Sequence, residues 1–109
     1  MQRTRVKFCG FTRAQDVQAA VQAGADALGF VFYEQSPRYI SPALASPLIQ
    51  SVPAFISTVG LFVNMTVPQM TRVITQAPIT TIQLHGDETW HFALNVKKIL
   101  RRPVIKAVR

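Results

Sequence analysis

Short apolar runs alternate along the chain with longer stretches in which apolar residues recur every three or four positions. "VKFC" (6–9) reads as a strand. Thr12 is then placed to cap a helix, with Gln15 at the spacing of a capping box. Val17, Ala20 and Val21 fall on one face of that helix, and Gly24 is its C-terminal stop. "ALGFVFY" (27–33) predicts a second strand, apolar on both faces. "SPRYISP" (36–42) is a loop with two prolines. Ser41 and Pro42 signal a helix start, but Pro47 would break an interior hydrogen bond, so the second helix is expected to begin late, near Ser46, or to kink.

"ISTVGLFVN" (56–64) predicts a third strand. Thr66 caps a third helix, with Val67, Met70, Ile74 and Ala77 in one stripe. "TTIQLHG" (80–86) predicts a fourth strand, and Asp87 a cap for a fourth helix whose buried side is Phe92, Val96, Ile99 and Leu100. "PVIKAV" (103–108) predicts a fifth strand. The order βαβαβαβαβ means a parallel sheet covered by helices, in one domain over residues 1–109. Strands apolar on both faces agree, since parallel strands are buried on both sides.

Two α/β architectures fit: an open doubly wound sheet, or part of a TIM (β/α)₈ barrel. Five strands suit the first by number. Polar residues inside strands favour the second. Lys7, Gln83 and Lys106 share parity with Cys9, His85 and Val108 respectively, two residues further on. If all face inward, they form a polar layer below a rim, which suits a barrel better than a dry sheet.

Composition narrows the class. The 109 residues are 49% hydrophobic, enough for a core, and carry a net charge of +7. Six of the twelve basic residues are Lys97, Lys98, Arg101, Arg102, Lys106 and Arg109, and the rest are six basic against five acidic. No aromatic residue interleaves that basic segment, so a solvated helix end is preferred to a nucleic-acid surface. One cysteine forms no internal disulfide and no thiolate cluster, which suits a reducing compartment. With no apolar leader at the N-terminus and no run long enough to span a bilayer, a cytoplasmic protein without membrane contact is expected.

Ligands of parallel α/β folds bind at the C-terminal ends of strands. Cys9 and Gly10, Asn64, and His85 with Gly86 stand at such ends. Cys9 reads either as a small buried hydrophobe or as a thiolate base or nucleophile. Lys7 on the same face and a following helix N-terminus favour the thiolate, and spacing alone leaves both readings open. His85 fits an acid, a base or a hydrogen-bond donor, or equally a residue bonded to nearby backbone. No acid is placed to orient it towards Cys9, so a nucleophilic Cys–His pair is weak. Arg38, in the loop after strand two, offers a planar fork for a carboxylate, or is simply exposed. Asp87 and Glu88 look like a cap and a first-turn acid. There is no metal-ligand spacing and no nucleotide-binding glycine loop.

"KFCGF", "GADALGFVFYEQSPRYIS", "VGLFVN", "QLHGDE" and "PVIKAVR" occur in one order that resembles the phosphoribosylanthranilate isomerases of tryptophan biosynthesis. The resemblance runs from about residue 5 to the last. It implies a (β/α)₈ barrel enzyme with no cofactor and no metal, which turns a phosphosugar-anthranilate aminoaldose into an aminoketose by an Amadori rearrangement. It implies that Cys9 is the general base, that Arg38 holds the anthranilate carboxylate, and that His85 lines the pocket, with Gln83 and Lys7 as further substrate contacts. The family barrel has eight strands and the pattern here five. The family's general acid, an aspartate ending strand six, and its phosphate site, after strands seven and eight, have no counterpart in the 109 residues. The expectation is therefore a chain inactive alone, whose open edges self-associate or accept a complementing C-terminal half-barrel. The alternatives are a non-enzymatic half-barrel scaffold or phosphate-ligand binder and, last, a nucleic-acid module.

Overall fold

The computed structural model describes residues 4–107. Strands and helices alternate: β1 (Lys7–Cys9), α1 (Ala14–Gln22), β2 (Ala27–Val31), α2 (Pro42–Gln50), β3 (Ser57–Phe62), α3 (Val67–Gln76), β4 (Thr81–Leu84), α4 (Trp90–Leu100) and β5 (Val104–Lys106). All strand pairs are parallel, in the spatial order β1-β2-β3-β4-β5. A doubly wound sheet reverses its order at a switch point. This sheet never does, so right-handed crossovers place every helix on the same face.

That face holds the core. Leu28, Phe30, Phe62, Ile82 and Leu84 share one strand parity and pack in one cluster with Val17 and Ala20 of α1, Ala45 and Ile49 of α2, Met70 and Ile74 of α3, and Ala93, Val96 and Leu100 of α4. The opposite face is concave. Lys7 Nζ donates to Gln83 Oε1 at 2.5 Å, although β2 and β3 lie between their strands. In a flat sheet three strand spacings would separate them by roughly 14 Å. The bond therefore requires the sheet to curl, as the wall of a barrel does.

Several local expectations hold. Thr66 and Gln69 form a reciprocal capping box on α3. Gly24, at φ +87°, ends α1: its N–H bonds to the Val21 carbonyl and that of Ala25 to the Ala20 carbonyl, the double bond of a left-handed helix terminus.

Others need correction. Thr12 does not cap α1; Arg13 stands at the N-cap, without a side-chain hydrogen bond. Thr12 lies one residue too early, so its match to the capping-box spacing is formal only. Asp87 does not cap α4; Thr89 does, its hydroxyl accepting from Phe92 N at 3.0 Å. The backbone of Asp87 is tied instead to Asn64 Oδ1, so the helix starts beyond it. α2 does not start late: Ser41 caps it and Pro47 lies within it. Ala43 and Pro47 are both exposed, so the hydrogen bond that Pro47 cannot make is missing on the solvent side of the helix, where its loss is tolerated. On α4, Ile99 is exposed and Ala93 takes the buried position. Lys106 pairs with Leu84, and Ile105 with Gln83. Paired residues of a parallel ladder share a face, so Lys106 belongs to the helix side and does not join the layer of Lys7 and Gln83. Its expected neighbour Val108 lies outside the described residues.

The basic segment is in part structural. Lys97 and Lys98 occupy the last turn of α4, where the dipole favours cations. Arg102 donates to the carbonyls of Ile79 at 2.8 Å and Leu100 at 2.9 Å. Among the described residues no helix is long and apolar enough to cross a membrane.

Candidate active site

The concave face opens at the C-terminal ends of the strands into a cavity of about 550 Å³, within the range of small-molecule sites. Lys7, Cys9, Arg38, Gln83 and His85, the five site residues that the resemblance implies, all line it.

Cys9 ends β1 and pairs with Gly29 of β2. A Cβ at position 29 would come within 2.7 Å of the Cys9 sulfur, so the glycine leaves the room the thiol occupies. The chain then turns at Gly10, with φ +94°, and the N–H groups of Gly10 and Phe11 both donate to the Gly29 carbonyl. The turn also makes space for Arg38, whose Cδ would lie 2.5 Å from a Cβ on Gly10. Arg38 Nη1 donates to the Cys9 carbonyl at 3.2 Å. That bond uses one of the five N–H donors of the guanidinium. The loop carrying Arg38 is pinned to the end of β2, since Ile40 N donates to the Val31 carbonyl at 3.0 Å.

Lys7 and Gln83, bonded to each other, lie one inward-facing position below Cys9 and His85. They form the polar floor that strand parity predicted. His85 follows β4, and its backbone N–H donates to the Phe62 carbonyl at 2.9 Å. Sequence reasoning missed the rest of the wall. Val31, Leu61 and Val63 supply apolar surface, and Tyr33 donates from its hydroxyl to Gln35 Oε1 at 2.5 Å. The signal was available: Val31 and Tyr33 continue the inward parity of Gly29. Asn64, the other strand-end candidate, does not line this cavity. Its backbone is left-handed, at φ +50°.

The chemical character follows from the lining. Lys7 and Arg38 bring positive charge, and no carboxylate lines the cavity among the described residues. Such a site attracts anions. Arg38 stands at one side of the cavity and the Cys9 thiol at the end of β1. No group of His, Cys, Asp and Glu among the described residues has the arrangement of a metal site.

The family model of N-(5′-phosphoribosyl)anthranilate (PRA) isomerase matches residues 6–109. The N-(5′-phosphoribosyl)anthranilate isomerase of Herminiimonas arsenicoxydans is 51% identical over 107 residues, covering 98% of this chain and 47% of that protein. The protein of the same name from Acinetobacter calcoaceticus is 49% identical over 107 residues, 98% of this chain and 50% of that one. Among solved structures, phosphoribosyl anthranilate isomerase from Thermotoga maritima superimposes with a TM-score of 0.92 at 40% identity, over 97% of this chain and 51% of that one. Another crystal structure of such an isomerase, with the same TM-score and identity, holds reduced 1-(o-carboxyphenylamino)-1-deoxyribulose 5-phosphate. The chain spans about half the length of the curated relatives it matches. Five parallel units curled around a cationic cavity, a family match over nearly every residue and identities near one half agree: the chain belongs to the N-(5′-phosphoribosyl)anthranilate isomerase family.

Proposed function

We propose that this chain carries the general base and the carboxylate grip of a phosphoribosylanthranilate isomerase. The observation that supports this most is the convergence of Cys9, Arg38 and His85 on one cavity in a chain of that family. Arg38 holds the anthranilate carboxylate with its planar fork. An acid protonates the furanose ring oxygen, the ring opens, and the anomeric carbon becomes a protonated Schiff base. Cys9, as thiolate, then takes the proton from C2 of the sugar. The electron pair of that C–H bond moves towards the iminium nitrogen and gives the enolamine, which tautomerises to the aminoketose. His85 lines the pocket beside the reacting carbons, and Lys7 and Gln83 contact the substrate from the floor. The reaction needs neither a cofactor nor a metal.

The base and acid stand on opposite sides of the sugar. No carboxylate lines the described cavity, so in this reading the acid that faces Cys9 is not among the residues around it. A reaction run without a positioned acid is expected to be slower by about 10²–10⁴-fold.

The test joins these residues to the C-terminal part of a full-length relative and measures conversion of phosphoribosylanthranilate. Turnover is expected from the joined protein, and Arg38→Ala is expected to raise KM more than it lowers kcat. A folded joined protein that binds the phosphosugar but leaves it unchanged would make the chain a binding module instead.

A further inference from the structure

We infer that Glu88 is a positioning residue: its carboxylate bolts the loop after β3 to the turn after β4 and so fixes His85 at the mouth of the cavity. The inference rests on the proposed contact of His85 with substrate. By sequence Glu88 looked like a first-turn acid. In the structure it is only 8% exposed, an uncommon place for a carboxylate. Its Oε1 accepts from Gly86 N at 2.8 Å and its Oε2 from Asn64 N at 2.8 Å. The two donors belong to different loops, so one side chain closes both.

Position makes this clamp functional. Gly86 directly follows His85, and Asn64 directly follows Val63, and both His85 and Val63 line the cavity. Asn64 adds a second link, its Oδ1 accepting from Asp87 N at 2.8 Å. The sheet ladder reaches His85 through its own N–H on the Phe62 carbonyl; Glu88 and Asn64 tie the backbone that follows it. Two N–H donors need two acceptors, which a carboxylate supplies. Glutamine offers one acceptor oxygen and would turn an NH₂ group towards the other N–H. Aspartate is one methylene short.

The experiment uses the isotopically labelled 109-residue chain and its Glu88→Gln, Glu88→Asp and Glu88→Ala variants. NMR reads amide exchange at Asn64 and Gly86 and the ring resonances of His85. In Glu88→Gln, protection of at least one of the two amides is expected to fall about tenfold or more, since a charge-assisted hydrogen bond is lost. The His85 ring signals are expected to move towards those of a freely averaging side chain. The core strand amides of Leu28 and Ile82 should keep their protection. If Glu88→Ala fails to fold, the Gln and Asp variants decide the matter. In the protein joined to a relative's C-terminal part, Glu88→Gln should lower kcat/KM about tenfold. Unchanged His85 signals in a folded variant that has lost amide protection would overturn the inference, as would an equal loss of protection at Leu28 and Ile82. A wild-type joined protein without turnover would defeat the isomerase reading alone, because the NMR comparison still decides the clamp.

Discussion

Gly29 shows how one missing side chain shapes the site. An alanine there would place its Cβ 2.7 Å from the sulfur, 3.1 Å from Cβ and 3.2 Å from Cα of Cys9. Rotating the thiol relieves only the first of these contacts. Gly29→Ala is thus expected to destabilise the fold by about 1–3 kcal/mol, as overpacking does, and to change the rate at which iodoacetamide alkylates Cys9. Urea unfolding and alkylation kinetics on one preparation check both. Arg38 and Gly10 are coupled in the same way, because the arginine stem lies where a side chain on residue 10 would be. These residue-scale dependencies were not legible in the sequence. Nothing in "KFCGF" says that its glycine makes room for an arginine 28 positions later. What the sequence did carry was parity, which placed Lys7, Cys9, Gln83 and His85 on one face.

At the scale of elements, strands were easier to read than helix starts. A buried parallel strand is a continuous apolar run, and such runs admit few alternative placements. A helix start depends on which of several polar residues the tertiary structure leaves free to cap. Thr12 and Thr66 both precede a glutamine by three residues, yet only Thr66 builds the box. Thr66→Ala is therefore expected to cost about 1 kcal/mol, while Thr12→Ala should stay within about 0.5 kcal/mol of wild type; thermal unfolding of the two variants tests the difference. Asp87 misled for the related reason that Asn64 and Glu88 tie down the backbone around it. The second helix misled because the break expected at Pro47 falls on the solvent side, where a missing backbone bond costs less than in the core. Lys106 misled because parity within one strand does not say which face is inward: the register, which no single strand reveals, sets it beside Leu84 on the helix side.

For the whole molecule, the monotonic strand order decides most. Within the described residues β1 and β5 each pair on one side only, so the curled sheet has two open edges. Phe8 is 46% exposed at one and Ile105 47% at the other. Open edges carrying apolar side chains template further pairing. The 109-residue polypeptide is accordingly expected to elute from size-exclusion chromatography as an associated species, and as a smaller one once a relative's C-terminal half is supplied in trans. A well-folded monomer at all concentrations would count against that. The same geometry explains the division of labour proposed for the reaction, in which this wall brings a thiol and a guanidinium and the opposite wall brings the acid. The most direct measurement is the steady-state rate of phosphoribosylanthranilate rearrangement by the joined protein, with and without Cys9→Ala. A fall of at least about 100-fold, in a variant that still binds substrate, is expected of a lost general base. A Cys9→Ala protein that works at the wild-type rate would mean that another group takes the proton.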